Sequence, residues 1–481
     1  MEMSHQGGAE GESLLRQDQR GAIVMPGHRQ GRWDAADEKA PFLRNEPVKL
    51  TPAWEGNNLP NDTLNLKGVA MDLGAPKDKY NIIFFTLLLH GLGTLTAWNM
   101  FITAKDYFVK YKLANAPDYS ENYLAYVGWA SQIPNLIFSW VNVFVNPSGD
   151  LTARIVWSLI IEVAIFVCHV ILAMVDSSKW PEVFFWLTMI SVFFMNGFNA
   201  VFQNSVFGVA GRMPPKYTGA VVLGSNLCGL LVVLLNWFSS MFDSPRTAAI
   251  YYFIGGMFVL LVCLDTYFAL PLNRFYRHHE TLQLNQNPVN TAAKNDTPKV
   301  SKGLLVKQAA VQMYNVFITF FVSLAVYPAV ISDVEPMVEG FLGTNFVRIT
   351  TFLTFNVMAL AGNITASLWQ YPKSRWLVVF TTARMVFVPF FLLCNYKPLE
   401  RTLPVYVTND WVFWFAHALF AWSSGHGSSL GMMYVCGSVA PENAATAGMI
   451  GGAVLITGLV LGITFTRLCP IIVTAAIWKT M

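Results

Sequence analysis

Apolar stretches of about twenty residues, one after another between short polar connectors, constrain this chain more than any other feature. Six run near residues 81–103, 122–145, 152–175, 182–210, 218–241 and 248–271, and five more near 306–332, 343–370, 376–395, 410–436 and 445–468. Each is long enough to cross the roughly 30 Å hydrocarbon core of a bilayer as a helix. In that medium a backbone must satisfy its own hydrogen bonds, which these lengths allow for helices. The expected fold is an all-α membrane protein with eleven transmembrane helices. Charged residues make up only 13% of the 481, and mean hydropathy is +0.42. A soluble chain would carry roughly a quarter charged residues.

Residues 1–79 are rich in Gly, Gln, Glu, Arg and Pro and read as a disordered cytosolic tail. They hold no apolar core of a cleavable signal, so the first span is expected to direct insertion. Lys and Arg in the short connectors favour a cytosolic N-terminus. A six-helix bundle is expected over 80–272, a cytosolic loop over 273–305 and a five-helix bundle over 306–481. The segment from Asn273 to Gly303 lacks helical periodicity. The net charge of +3 leaves no electrostatic footprint for nucleic acid. The six cysteines lie in or beside apolar spans, without metal-ligand or disulfide spacing, and read as packing residues. No phosphate-binding loop, zinc-binding His pair or nucleophile elbow appears, so neither an enzyme nor a cofactor is expected.

Two segments echo each other. "FGVAGRMPPKYTGAVVLGSNLCG" ends the fourth span and opens the fifth; "YVCGSVAPENAATAGMIGGAVLITG" does the same for the tenth and eleventh. Each is a helix end, a Pro-containing turn and a helix of small residues. Parallel repeats of this kind put a transporter's site between its halves; small residues also serve plain helix packing.

Polar residues inside the spans are the candidates for function, because polar groups are costly in hydrocarbon. Trp98 and Asn99 lie in span one, pointing to different sides. Asn199 and Gln203 share a face of span four, four residues apart. In span eight, "FNVMALAGNITASLW" aligns Asn356 and Asn363 two helical turns apart, with Ala359 on the same face. Carboxamides both donate and accept, which suits a neutral ligand's hydroxyls or ring nitrogens, or a neighbouring helix. Glu162, Asp265 and Arg384 are charges embedded in spans; His90, His169 and His417 read as packing or interfacial residues.

The stretches "GLGTLTAWNMFITAKDYF", "FQNSVFGVAGRMPPKYTGAVVLGSNLCG", "FLTFNVMALAGNITASLW", "SRWLVVFTTARMVFVPFFLLCNYKP" and "GHGSSLGMMYVCGSVAPENAATAG" together resemble the equilibrative nucleoside transporter family, in that family's order. The resemblance implies a major-facilitator-like 6+5 arrangement and facilitative transport of nucleosides, and sometimes nucleobases, by alternating access. It implies that Trp98 lies near the base or ribose, that Gln203 hydrogen-bonds the base, and that Ile102, Asn135 and Leu459 form cavity walls. Gly224 and Gly229 match small residues of span five, Arg154 a basic residue beside the outer gate, and Asn356 a polar position of span eight.

Where the family usually carries Asp and, four residues on, Arg, this chain has Ala359 and Asn363. Losing a carboxylate and a guanidinium together keeps the site neutral and strands no buried charge, which alone would cost about 3–5 kcal/mol. The expectation is that this helix still lines the cavity with amides in place of an ion pair; ordinary helix packing is the alternative. His426 also departs from the pattern, and "PENAATAG" lacks the acidic residue often found before its Thr. Two other functions stay open: an organic cation or monoamine carrier using Glu162 or Asp265, and a transport-dead nucleoside sensor on the same scaffold. Expected partners are nucleosides or nucleobases, the lipid bilayer and a sorting adaptor reading Glu10, Leu14 and Leu15 in "EGESLL". The plasma membrane is the expected location, with the endolysosomal membrane second. The "NDT" triplet at Asn61 should stay unglycosylated in a cytosolic tail.

Overall fold

The computed structural model describes residues 76–120, 122–145, 150–286, 302–338 and 342–475. Glu10, Leu14, Leu15 and Asn61 lie outside the described residues. Helices occupy every position where an apolar stretch predicts one. They are α1 Ile82–Thr103, α2 Tyr123–Val145, α3 Leu151–Met174, α4 Pro181–Gly211, α5 Pro215–Ser239 and α6 Pro245–Ala269. Then come α7 Arg274–Gln286, α8 Lys302–Val326, α9 Thr354–Leu368, α10 Leu377–Leu392, α11 Asp410–Gly437 and α12 Ala444–Thr466. Among the described residues, eight of these segments are long and apolar enough to cross a membrane; α10 is shorter. The more polar α2 and α11 fall outside that set.

Local chemistry sets the helix starts. Prolines open α4, α5 and α6, where the missing N–H needs no partner. Asp150 caps α3 through Thr152 N at 2.9 Å, and Asn409 caps α11 through Trp411 N at 2.9 Å. α9 continues a wider-wound turn, Arg348–Leu353.

The segment expected to be a loop over 273–305 contains α7. Its Phe275 and Tyr276 are buried, Phe275 lies 5.1 Å from the Tyr217 ring, and the Arg212 guanidinium is 3.9 Å from the Glu280 carboxylate. With only two core-facing aromatics among polar residues, its sequence carries little apolar periodicity. Tertiary contacts with the ends of α4 and α5 make it a helix.

Packing follows a repeat. α1 packs on α5 as α8 packs on α12, and α2 packs on α4 as α9 packs on α11. Across the halves, α4 meets α12 as α11 meets α5, and α2 meets α12 as α9 meets α5. Glycines allow the closest crossings. A Cβ on Gly224 would stand 1.8 Å from Leu88 O of α1, and one on Gly425 would stand 1.9 Å from Ala359 O of α9. Such contacts are how helices associate where lipid supplies no hydrophobic drive.

The embedded histidines and arginine hold helices together. His90 Nε2 pairs with Cys263 O at 2.8 Å, His169 Nε2 with Ser191 Oγ at 2.7 Å and His417 Nδ1 with Thr350 O at 2.6 Å. Arg384, 2% exposed, donates to Ser423 Oγ, Thr319 O and Ser323 Oγ at 2.8–3.0 Å.

Candidate functional site

The two Pro-turn hairpins of the repeat meet and seal one end of the molecule. Phe202–Gly211 of α4, Tyr217–Gly224 of α5, Gly425–Met433 of α11 and Ala447–Ala453 of α12 are buried without interruption. A Cβ on Gly211 would come within 2.7 Å of Ala444 O, and Thr218 Oγ1 lies 3.9 Å from Cys436 Sγ. Toward the opposite end the same four helices alternate between buried and exposed positions. The halves therefore close tightly at the end that bears Asp78 and α7 and pack less closely beyond it, where a cleft between them can open.

Neighbouring contacts fix which side chains face that cleft. On α1, Thr94 O accepts from Asn199 of α4 at 2.6 Å, and Asn99 Nδ2 reaches Cys228 Sγ of α5 at 3.6 Å. Trp98 and Ile102, four residues apart, lie between these two directions, are half-buried, and face the other half. Asn99 turns to α5. On α4, Asn199 binds α1 while Asn204 binds α2 through Ser139 Oγ at 2.7 Å and abuts Gly452 of α12. Gln203 lies between the α1-facing Asn199 and the α12-facing Asn204, at the edge of the buried stretch Phe202–Gly211. It is 3% exposed, and among the described residues its amide has no hydrogen-bond partner. Leu459 is on the face of α12 that carries Gly452, two turns farther from the seal.

α2 contributes two orphaned acceptors. Asn135 Oδ1 and Gln132 Oε1 are enclosed, without a partner among the described residues. Gln132 is 8% exposed, one turn from Asn135 and two from Ser139. Sequence reading missed it; its spacing from Asn135 was the available signal.

The aligned face of α9 divides by depth. Asn356, at the open level, is exposed, touches the Tyr327 hydroxyl and faces Gly229, where a Cβ would stand 3.6 Å from Asn356 Oδ1. Asn363 lies about 10 Å deeper along the helix and is wholly buried. Ser429 Oγ donates to its Oδ1 at 2.8 Å, and its Nδ2 has no partner among the described residues. Ala359 is pressed against Gly425. The expectation that amides replace an ion pair along the whole face needs correcting: Asn356 faces the cleft, while Ala359 and Asn363 join α9 to α11. The reason is that α9 and α11 run parallel and in contact, with Gly425 against Ala359 and Gly362 against Trp422 at their closest approach.

Arg154 also needs correcting. Its Nη1 donates to Asn142 Oδ1 of α2 at 3.1 Å and lies 3.8 Å from Met449 Sδ of α12. It bridges the halves at the sealed end, the end bearing Asp78, not at the opposite one as an outer-gate role would require with a cytosolic N-terminus. Lys302, unremarked in the sequence, works beside it. Its Nζ donates to Val143 O and Phe144 O at 3.2 and 2.8 Å, capping the last carbonyls of α2.

No charged side chain faces the cleft among the residues placed there. Glu162 is fully enclosed in the first bundle with both oxygens unpartnered, and Asp265 is exposed on α6.

A family model described as "Nucleoside transporter" matches residues 189–469. Equilibrative nucleoside transporter 1 of Homo sapiens is 30% identical over 83% of this chain and 99% of its own length. Equilibrative nucleoside transporter 2 of Homo sapiens is 30% identical over 82% and 98%. Among solved structures, the major facilitator superfamily proton:xylose symporter XylE matches with a TM-score of 0.51 at 14% identity, over 82% of this chain and 90% of that one. The E. coli fucose:proton symporter FucP matches with a TM-score of 0.52 at 11% identity, over 83% and 97%.

Proposed function

The chain belongs to the nucleoside transporter family, and on that premise we propose that it carries nucleosides, and nucleobases with them, down their gradients by alternating access. It is a multi-pass membrane carrier and not an enzyme. The reading is supported by a repeat-built molecule whose halves pack most tightly at one end, with uncharged amide side chains on the helices beyond that seal. A nucleoside offers hydroxyl and amino donors, ring acceptors and a flat base. The residues proposed for ligand contact are Gln203, with its unpaired amide, Asn356, exposed and with its Nδ2 donating to Phe352 O at 2.8 Å, and the indole of Trp98; the Gln132 and Asn135 acceptors are enclosed in this conformation. Ile102 and Leu459 supply walls. Ala359 and Asn363 take no part in contact in this conformation.

We place the N-terminus in the cytosol with eleven crossings. The sealed end carries Lys77, Arg212, Lys216, Arg274 and Lys302, as the positive-inside rule favours. The conformation is then outward-open, and Arg154 is an inner-gate residue. Every step of the cycle exchanges helix contacts between the halves, and no covalent chemistry is needed. The plasma membrane is the proposed location; a "EGESLL" adaptor signal would redirect the carrier to endolysosomes. A cation carrier would need a carboxylate at the cleft, and neither Glu162 nor Asp265 provides one there.

Purified protein in liposomes should take up labelled adenosine or uridine without an imposed ion gradient. Gln203→Ala should lower uptake while leaving the protein folded. Wild-type vesicles that accumulate neither nucleosides nor nucleobases would refute the proposal.

A further inference from the structure

α5 has two working faces, distinguished by the helices they meet. Val221, Gly224, Ser225 and Cys228 meet α1: Ser225 Oγ donates to Gly91 O at 3.0 Å, and Cys228 Sγ lies 3.7 Å from Thr96 Oγ1. The opposite face meets the second half. Thr218 and Gly219 touch Cys436 and Met433 of α11 at the seal, and Gly229 opposes Asn356 of α9. Asn226 stands on this second face, two turns past Gly219 and one turn before Gly229. It is the first polar side chain there beyond the continuously buried stretch Tyr217–Gly224, and it is half-buried.

We propose that Asn226 is a specificity-determining residue of the cleft, reading the ligand together with Asn356 from the other half. Its Nδ2 makes one hydrogen bond, to Val222 O at 3.3 Å, one turn back on its own helix. That contact leaves the Oδ1 acceptor and the second N–H without a partner among the described residues. Asn226 is about 4.5 Å along the α5 axis from Gly229, so the two carboxamides flank the cleft from opposite halves at nearly one level. The free donor and acceptor of Asn226, opposite Asn356, whose Nδ2 already donates to Phe352 O at 2.8 Å, suit a planar heterocycle edge carrying adjacent donor and acceptor atoms, or a pair of vicinal hydroxyls. A hydrogen-bonding role in helix packing would instead require a partner from α9 or α11, and among the described residues Asn226 has no such hydrogen bond.

This inference rests on the transport reading, so wild-type uptake of uridine and adenosine in liposomes is measured first. Its absence refutes both. With wild-type transport established, Asn226→Ala should raise KM about 3- to 10-fold, the share of affinity a neutral hydrogen bond carries, with kcat within about twofold. The ratio of adenosine to uridine KM should change, because the two bases present different donor and acceptor edges. Asn226→Gln should recover part of the affinity, whereas Asn226→Leu should not. A fluorescence-detected melting curve controls for folding. Unchanged KM and unchanged selectivity in folded Asn226→Ala and Asn226→Leu would overturn the inference while leaving the transport reading intact.

Discussion

Asn356 and Asn363 carry the same side chain on the same face of one helix, yet do different work. Asn363 is enclosed and bonded to Ser429, so its amide serves cohesion. Asn363→Ala should lower stability by about 1 kcal/mol, the typical net worth of one hydrogen bond, seen as a lower melting temperature with little change in KM. Asn356→Ala should do the reverse, raising KM while leaving the melting temperature near wild type. Reversed outcomes for the two would show that α9 is misplaced relative to the cleft. Alignment on a face was legible in the sequence because it follows from helical period alone. Depth was not, because it depends on where α9 and α11 meet.

Among elements, α7 shows what a polar helix can do at a membrane boundary. Burial raises the Glu280 carboxyl above its ordinary value, and burial lowers His279 below its own, with His278 adding to the second effect. A raised carboxylate favours docking of α7 at low pH, and that contribution fades as pH rises through the docked value. A lowered imidazole favours docking above its ordinary value near 6.5, and that contribution fades on acidification. The two oppose each other. Glu280→Gln should therefore expose a loss of α7 protection on going from pH 7 to pH 5, measured by hydrogen exchange normalised for intrinsic rates. His279→Gln should remove the acid-side loss. Because Glu280 is partly solvent-exposed, the 3.9 Å approach of Arg212 adds little.

For the whole molecule, the proposed alternating access makes the seal one of two arrangements of the halves. Lys302 of α8 ties α2 to the second half through hydrogen bonds from a charged donor, each worth about 1.5–3 kcal/mol, while Arg154 braces α3 on Asn142 of α2 and reaches the second half at Met449 Sδ, 3.8 Å away. Ala445 stands before the Thr of "PENAATAG", and Arg154 reaches an amide, Asn142 Oδ1, and a thioether, Met449 Sδ. Arg154→Ala with Lys302→Ala should move the population toward the inward-open form. Cys436, buried in the seal beside Thr218, is a native reporter. Its labelling by a thiol reagent, located by peptide mass, should speed up in the double variant. Equal labelling rates would show that the hairpin contacts alone hold the seal.

Apolar run length by itself determined the all-helical membrane class, the helix positions and the paired Pro-turn hairpins, since bilayer thickness and backbone hydrogen bonding act within a single segment. The family-marking stretches pointed to Trp98, Gln203 and Asn356 before any coordinates. Three things only the tertiary structure decided: the sealing of one end, the assignment of Arg154 to it, and the folding of α7. Each depends on residues far apart in the chain, such as Arg154 and Met449 or Phe275 and Tyr217, coming into contact, and no local period encodes that meeting.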